Sequence, residues 1–489
     1  MKKSTRRDFV KGLSAGTFWI PATRMFGQEL PHISKQVRMA VIGTGGIGSP
    51  MRRYELEPGG ATTVALCDVD PTALEAEKKV MNAPDIPCFS DYREMFDKMG
   101  REFDCVMIST PDHTHSYIGI DCMLRGKAIY IQKPLAPTVE ECNLIADVAK
   151  KTGMVFQLGN QGHPKLRHYL PLRDEKYWGD ILKIESWTGK TTTRRLAKEM
   201  TGRRRPVAYP KPIGWDARMP DARSWDLWCG PAEDHGYSHL YHTFLWRLWP
   251  EYGSGGVHDM GVHTMDPAFT AFELGLPYSI KCQTGEATDF AYADGTKITM
   301  KFRPNRYLPN GVEVTWWDGE IYPERPLWSD PNLVIGPMGE KNHLDFHGND
   351  NDYDNGLLIY GSKRTTITGS HPALPSLCAL TGIPFGEETK AEAKELNERM
   401  QAIRIPERAH AKQFVDAVRA GDPRMCDSNA EYSRRFSAAL DLAALSTRFP
   451  NTELIFDEKS WTFTNNTDAN NWLKMRCRPN WDVRKLAGV

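Results

Sequence analysis

Short apolar runs alternate with amphipathic segments between residues 34 and 158. The runs predict buried strands, and the amphipathic segments predict helices between them. The predicted strands are Val37–Ile42, Thr63–Cys67, Cys105–Ser109, Ala128–Gln132 and Val155–Leu158. The predicted helices are Ser49–Leu56, Thr72–Met81, His115–Arg125 and Val139–Lys151. This order is typical of a Rossmann domain, an α/β fold with a doubly wound parallel sheet that binds ligands at the carboxyl ends of its strands.

The pattern changes after residue 158, where alternating polar and apolar positions predict half-buried strands. Short turns such as Asp294-Gly295 favour antiparallel pairing. The predicted strands are Ile181–Thr188, Ser279–Thr284, Lys297–Phe302, Val312–Trp317, Leu357–Tyr360 and Thr365–Thr368, and the later predicted helices are Glu387–Arg404, Arg408–Ala420 and Ala430–Phe449. Residues 159–489 are therefore expected to form an α+β domain with a large, open, mostly antiparallel sheet and flanking helices.

Composition and charge narrow the possible functions. The chain has 489 residues, of which 40% are hydrophobic and 25% charged, so two globular domains are expected. Its 62 Lys and Arg residues balance 62 Asp and Glu residues, which argues against binding to nucleic acid or to an acidic membrane. No apolar run is long enough to predict an integral membrane span. A small-molecule ligand is therefore favoured.

The first residues resemble a signal peptide of the twin-arginine export route. Thr5–Lys11 contains Arg6 and Arg7, and a weakly apolar run follows at Gly12–Pro21. A basic tail without a targeting function is the alternative. We interpret residues 1–33 as a signal and linker, which predicts export to the periplasm. Because this route moves folded proteins, a cofactor would be loaded before export.

A glycine-rich sequence, Gly43-Thr44-Gly45-Gly46-Ile47-Gly48, separates the first predicted strand from the first predicted helix. In this context Gly43 permits a tight turn, Gly45 lets a pyrophosphate approach the backbone, and Gly48 lets the helix pack on the strand. Asp68 ends the second strand, where a carboxylate binds a ribose diol and repels the extra phosphate of NADP. The sequence therefore predicts NAD as the cofactor.

Two further loops follow strands and are expected to enter the same site. They are Thr110–His115 and Lys133-Pro134. A loop at this edge of the sheet usually lines the cofactor, and a metal site on His113 and His115 is the less favoured alternative. The predicted cofactor-binding residues are Gly43, Gly45, Gly46, Ile47, Gly48, Asp68, Thr110, Pro111, His115 and Lys133.

These motifs, together with Gly255–His263, resemble the glucose-fructose oxidoreductase, inositol dehydrogenase and rhizopine catabolism superfamily, abbreviated Gfo/Idh/MocA, in an exported subgroup. The resemblance covers nearly all of the chain after the signal. It implies a sugar or cyclitol dehydrogenase, or a glycosidase that keeps NAD bound through its cycle. It also implies a homo-oligomer formed through the open sheet. The family commonly has Glu before the lysine, whereas this chain has Gln132.

The predicted catalytic residues are Lys133, Asp259 and His263. Asp259 and His263 are four residues apart, which puts them on one face of a helix. Oxidation of a secondary alcohol needs a base for the hydroxyl proton, and an imidazole suits that task. Asp259 would orient this imidazole. The resemblance implies that Lys133 lies beside the same oxygen, and Lys133 as the base itself stays open.

A second cluster of rings and basic groups lies at Tyr237–Arg247. Within it, His242, Trp246 and Arg247 are predicted to bind a carbohydrate, because aromatic rings stack on sugars while His and Arg bond hydroxyls. A zinc site on His235, His239 and His242 is one alternative. A plain aromatic core is another.

The favoured function is therefore an NAD-dependent oxidoreductase acting on a sugar, a sugar derivative or a glycoside. Because no nicotinamide pool is expected outside the cytoplasm, NAD should stay bound and be recycled. One alternative is an NAD-dependent glycoside hydrolase or epimerase that works by transient oxidation and elimination. Another is a non-catalytic sugar-binding protein on the same scaffold.

Overall fold

The computed structural model describes residues 36–489 except 190–207, 243–244, 285–289, 291, 293–294, 320, 334, 336–353 and 370–373. The predicted export signal, residues 1–33, lies outside the described residues. No helix in the described part of the chain is both long enough and apolar enough to cross a bilayer.

The first sheet has six parallel strands in the order β3-β2-β1-β4-β5-β6. Its strands are β1 Val37–Ile42, β2 Ala61–Cys67, β3 Cys88–Phe89, β4 Cys105–Ile108, β5 Ala128–Gln132 and β6 Phe156–Gly159. This topology confirms the predicted doubly wound Rossmann fold. The sequence analysis missed β3, because two residues carry too little hydrophobic pattern to be detected.

Helices connect successive strands of this sheet. They are α1 Gly48–Met51, α2 Pro71–Met81, α3 Tyr92–Met99, α4 Asp112–Leu124 and α5 Val139–Thr152, and a π-helical turn at Arg52–Leu56 continues α1. Local sequence explains their ends. Asp70 caps α2 by accepting a 2.8 Å hydrogen bond from the Thr72 N–H, and Gly153 ends α5 at φ 67°.

The second sheet has nine strands in the order β13-β12-β11-β7-β10-β9-β8-β14-β15. Its strands are β7 Ile181–Thr188, β8 Ser279–Thr284, β9 Thr296–Phe302, β10 Val312–Trp317, β11 Asn355–Gly361, β12 Arg364–Thr368, β13 Ser376–Leu380, β14 Glu453–Asp457 and β15 Thr462–Phe463. The pair of β7 and β10 is parallel, and the other pairs are antiparallel. The predicted open, mostly antiparallel sheet is confirmed.

The α-helices of this half are α6 Tyr169–Asp174, α7 Ala222–Cys229, α8 Gly255–Thr264, α9 Asp266–Ala271, α10 Glu387–Ala402, α11 Ala409–Ala420, α12 Ala430–Ser446, α13 Thr467–Asn470 and α14 Val483–Ala487. Helices α8 and α12 pack on one face of the second sheet and bury its core. The predicted boundary at residue 158 separates the two sheets but not all the helices. Phe414 of α11 and Val483 of α14 pack into the cores of the first sheet, because a parallel sheet needs cover on both faces.

Buried polar contacts of Asp266 join the two halves. Its carboxylate accepts hydrogen bonds from Asn160 Nδ2 at 3.0 Å, from Thr270 Oγ1 at 3.1 Å and from the Tyr432 hydroxyl, and it lies 3.1 Å from His163 Nδ1. Asn160 directly follows β6, whereas Asp266 begins α9. This network fixes α8 and α9 relative to the carboxyl ends of the first sheet's strands.

Glu141 provides a test of the packing between α4 and α5. It is fully buried in α5, where burial raises the pKa of its carboxyl to about 8 despite hydrogen bonds from Ser116 and Thr138. Between about pH 4.3, the unfolded value, and about pH 8, the folded protein holds a proton that the unfolded chain releases. The free energy of unfolding should therefore fall as pH rises, by up to about 1.4 kcal/mol per pH unit. Glu141→Gln should flatten this slope in denaturant titrations, whereas exposed Glu75→Gln should not. Equal slopes in Glu141→Gln and the wild type would contradict it.

Candidate active site

A cavity of about 1170 Å³ lies between the carboxyl ends of the strands of the first sheet and the second half of the chain. Its wall includes residues from both halves. The lining residues include Gly45, Gly46, Ile47, Asp68, Asp70, Thr110, Pro111, Asp112, Gln132, Lys133, Gln161, Arg218, Trp228, His242, Trp246, Arg247, Asp259, His263 and Trp481. The cavity thus brings together most of the residues that the sequence predicted as functional.

The glycine loop between β1 and α1 has the conformation that its sequence requires. Gly43 has φ +86°, and a Cβ there would lie 2.6 Å from the backbone of Ser109. A Cβ on Gly48 would lie 2.2 Å from the Gly43 carbonyl oxygen. At Gly45 the nearest atom to a Cβ is 3.8 Å away, so the missing side chain leaves open space at the cavity wall. This is the cradle that a pyrophosphate needs.

Asp68 lies at the carboxyl end of β2, beside the glycine loop. Its Oδ2 accepts hydrogen bonds from the N–H of Thr44 at 2.8 Å and of Gly45 at 3.3 Å, and its Oδ1 accepts one from the N–H of Asp70 at 3.0 Å. Burial raises the pKa of this carboxyl, and the three N–H groups oppose that rise. Asp68 therefore holds the loop in place, and its Oδ1 retains a lone pair for a ribose diol.

Lys133 and Asp259 meet across the cavity, although they come from β5 and α8. Lys133 Nζ donates to Asp259 Oδ1 at 2.8 Å and to the Asp259 carbonyl oxygen at 2.7 Å, and Arg247 Nε donates to the same Oδ1 at 3.3 Å. Burial raises the pKa of Asp259, but the charges of Lys133 and Arg247 outweigh it and hold that pKa well below its usual range. Asp259 is thus an ionised carboxylate between two cations.

His263 lies one turn after Asp259 on α8, as the spacing predicted. It is 6% exposed and lines the same cavity. A positive charge on His263 would also lower the pKa of Asp259. The structure therefore brings Lys133, Asp259 and His263 together. The orienting role of Asp259 towards the imidazole stays a prediction.

Two polar groups of this region were not among the predicted site residues. Asp112 is 3% exposed in the first turn of α4, and burial raises its pKa against the charges of His115 and Arg247. Gln132 is 4% exposed, and its Nε2 has no hydrogen-bond partner among the described residues. Its Oε1 accepts a long hydrogen bond of 3.4 Å from Gln161 Nε2. The carboxyl ends of β4 and β5 were the signal that could have located both.

His115 was predicted to contact the cofactor, and the structure corrects this placement. Its side chain is fully buried and does not line the cavity. Its Nδ1 lies 2.8 Å from the carbonyl oxygen of Pro134, and its Nε2 lies 2.9 Å from that of Thr110. His115 therefore braces two loops that do line the cavity, because it faces inward from the first turn of α4.

A cluster of buried rings covers one end of the cavity. We call residues 219–252 the aromatic segment, after its buried members Trp225, Trp228, Tyr237, Tyr241, Trp246, Trp249 and Tyr252. The segment packs against Val69, which directly follows Asp68. His113 of α4 ties it down, with Nδ1 3.0 Å from the Tyr252 carbonyl oxygen and Nε2 2.8 Å from the Trp228 carbonyl oxygen. Burial lowers the pKa of His113 to about 4.

The three residues predicted to bind a carbohydrate lie at two different places. Arg247 contacts Asp259, and its guanidinium stacks on Trp246 at 4.1 Å from the ring centroid. His242 lies instead near Asp70, with Nε2 4.0 Å from the Asp70 Oδ2. The spacing of three histidines at 235, 239 and 242 does not form a metal site, because among the described residues no three potential ligands cluster.

Two consecutive domain models of one family match the chain. The first, described as an oxidoreductase family with an NAD-binding Rossmann fold, matches residues 37–160. The second, the C-terminal alpha/beta domain of an oxidoreductase family, matches residues 214–306. These two stretches of the chain are thus similar to the Gfo/Idh/MocA oxidoreductase family. This finding confirms the resemblance and the NAD-binding character of the first domain.

Several characterised proteins are similar over part of the chain. A glycosyl hydrolase family 109 protein of Shewanella pealeana is 32% identical over 210 residues, which cover 38% of this chain and 46% of the relative. An alpha-N-acetylgalactosaminidase of Shewanella oneidensis is 33% identical over 31% of this chain and 34% of its own. An inositol 2-dehydrogenase of Agrobacterium fabrum is 35% identical over 23% and 32%. The matches span about a third to just under half of these relatives.

Solved structures share the fold over most of the chain. An inositol dehydrogenase homologue of Azotobacter vinelandii, complexed with NAD⁺, has a TM-score of 0.59 at 15% identity and covers 87% of this chain and 98% of its own. The WlbA dehydrogenase of Bordetella pertussis, in complex with NADH and UDP-GlcNAcA, has a TM-score of 0.55 at 14% identity, with 87% and 99% covered. At this identity the likeness shows the fold alone.

The residues present fit NAD, and Asp68 gives a direct test. The open face of Gly45 can accept a pyrophosphate, and the buried Asp68 carboxylate opposes a 2′-phosphate by its charge. Asp68→Asn keeps the shape and an acceptor for Thr44 but removes the charge. The ratio of the NADP to the NAD dissociation constant should fall by about tenfold or more, as measured by calorimetric titration. Exposed Asp85→Asn is the control. An unchanged ratio would remove Asp68 from nucleotide discrimination.

Proposed function

We propose that the protein is an NAD-dependent oxidoreductase that acts on a sugar, a sugar derivative or a glycoside, and that it keeps NAD bound and recycles it. One observation carries this proposal. Lys133, Asp259 and His263 lie on the wall of the same cavity as the glycine loop, so a dinucleotide and a polyol would share one enclosed space. The family matches and the named relatives support the same chemistry.

Different residues of the chain would bind different parts of the cofactor and the substrate. The open face of Gly45 would take the pyrophosphate, and Asp68 would take the adenosine ribose. When bound, the nicotinamide ring supplies the hydride acceptor for oxidation of a secondary alcohol. Trp246 and Arg247 lie beside Asp259 and would contact the sugar, the ring by stacking and the guanidinium by hydrogen bonds.

Lys133 and His263 would act on the hydroxyl group of the substrate. Lys133 Nζ uses two of its donors on Asp259, which leaves one for the substrate oxygen. A cation at that oxygen stabilises the developing alkoxide, and the ionised Asp259 keeps the ammonium in place. His263 then accepts the hydroxyl proton. Because Lys133 is committed as a donor, His263 is the favoured base.

Replacement of His263 tests this assignment. His263→Ala should lower kcat by about 10²- to 10⁴-fold, because the hydroxyl proton loses its acceptor. NAD affinity should remain nearly unchanged, since the glycine loop and Asp68 are untouched. The turnover of a library of sugars and glycosides, followed with nucleotide binding on the same samples, provides the measurement. Comparable turnover in the variant would exclude His263 as the base.

A glycoside hydrolase or epimerase is the second candidate. The similarity to glycosyl hydrolase family 109 proteins and to an alpha-N-acetylgalactosaminidase favours it. In such a cycle, oxidation of the alcohol to a ketone would acidify the neighbouring C–H bond, and loss of that proton would expel the leaving group as its alcohol. Water would then add to the resulting double bond, and the ketone would be reduced back to the alcohol. The net reaction leaves the redox state of the cofactor unchanged. The same three residues serve, because the first step is again removal of a hydroxyl proton beside Lys133.

Retention of the cofactor follows if residues 1–33 direct the export of the protein, as we propose. Outside the cytoplasm a released cofactor could not readily be replaced. Protein purified from the exported fraction should contain about one NAD or NADH per chain, and dialysis should not abolish activity. Such retention needs a dissociation constant well below about 1 μM, or roughly 8 kcal/mol or more. Mass spectrometry of the denatured protein measures the nucleotide. A nucleotide-free protein that needs millimolar added NAD would contradict retention.

A further inference from the structure

His242 is a buried histidine whose hydrogen bonds are incomplete. It is 8% exposed and belongs to the aromatic segment, but it also lies on the cavity wall. Its Nδ1 is buried and has no hydrogen-bond partner among the described residues. Its Nε2 lies 4.0 Å from the Asp70 Oδ2, which is beyond hydrogen-bond distance. Because an unpaired buried polar group is destabilising, such an imidazole is suited to a ligand.

Asp70 faces this imidazole with a free oxygen. Its Oδ1 caps α2 by accepting from the N–H of Thr72 at 2.8 Å and of Ala73 at 3.3 Å, and from Thr72 Oγ1 at 2.6 Å. Its Oδ2 accepts no hydrogen bond from the described residues and points towards His242. The first oxygen therefore serves the helix, and the second remains for a ligand.

The position of this pair identifies the part of the ligand. Asp70 follows Asp68 by two residues at the carboxyl end of β2, and both carboxylates act electrostatically on His242. Val69, between them, packs against the aromatic segment. The end of β2 is where a Rossmann fold holds the adenosine ribose. The opposite part of the cavity, around Lys133 and Asp259, contains the reacting groups.

We propose that His242 and Asp70, together with Asp68, bind the diol of the adenosine ribose, so that the second domain contacts the cofactor directly through the aromatic segment. This inference rests on the proposed binding of NAD. It reassigns His242 from the predicted carbohydrate contact to a cofactor contact. Trp246 and Arg247 keep their place near the sugar.

A ribose hydroxyl can bond His242 Nε2 and Asp70 Oδ2 at once. An oxygen about 2.8 Å from each of two atoms that are 4.0 Å apart forms two hydrogen bonds at roughly a right angle. It accepts from the imidazole N–H and donates its own proton to the Asp70 carboxylate. A 2′-phosphate has no proton to donate at neutral pH, and it would face Asp68 and Asp70 together. The pair therefore selects a diol.

The test measures nucleotide affinity in protein stripped of nucleotide, by calorimetric titration with NAD, with ADP-ribose and with NADP. His242→Ala should weaken NAD and ADP-ribose by the same factor, about 5- to 30-fold, because both contain the adenosine ribose. His242→Gln retains a donor and an acceptor and should recover part of the loss. Asp70→Asn keeps the helix cap and should also weaken ADP-ribose.

His239→Ala is the matched control, because this exposed histidine lies in the same segment and does not line the cavity. It should bind all three nucleotides as the wild type does. Unchanged affinity for ADP-ribose in His242→Ala would overturn the inference. So would unchanged affinity for NAD with a raised KM for the sugar, which would return His242 to the substrate, or tighter binding of NADP than of NAD by the wild type. Failure of the wild type to bind NAD would refute the proposed function itself.

Discussion

The contact between Lys133 and Asp259 is the interaction on which the site depends. It joins the end of β5 in the first domain to α8 in the second, and it does so with two hydrogen bonds, at 2.7 and 2.8 Å. Removal of one partner from a largely buried ion pair costs about 3 to 5 kcal/mol, because a charge is left uncompensated. The pair therefore sets the separation of the two domains at the cavity, and it places an ammonium group and the α8 histidine beside the same space.

The aromatic segment adds a second connection between the domains, at the other end of the cavity. The imidazole of His113 in α4 lies between two of its carbonyl groups, and Val69 packs beneath its rings. Rings of this size bury much apolar area on few rotatable bonds, so the segment is well suited to form a rigid wall. A dinucleotide that lies along this wall would contact both domains. Its release would then require the wall or the Lys133 contact to move.

The sequence predicted the fold and the placement of Lys133, Asp259 and His263 in one site better than the details of either. Long periodic segments and the glycine motif located the first domain, and the spacing of Asp259 and His263 put them on one helical face. The packing of α11 on the first sheet could not be predicted, because an apolar helix face does not specify its partner. His115 was misplaced for a related reason. Position along a loop or segment gives the neighbourhood of a side chain but not the direction in which it points.

Two residues that line the cavity have a buried nitrogen without a hydrogen-bond partner among the described residues. Gln132 Nε2 lies beside the reacting end, and His242 Nδ1 lies beside the ribose end. Each costs about 1 to 3 kcal/mol while it lacks a partner. Because Gln132 lines the cavity, a bound ligand would accept a hydrogen bond from its amide nitrogen. A neutral amide at position 132 also leaves Asp259 as the carboxylate that holds Lys133, whereas a glutamate there would compete for the same ammonium. Because residue 132 is an amide and not a carboxylate, Lys133 pairs with Asp259 of the second domain.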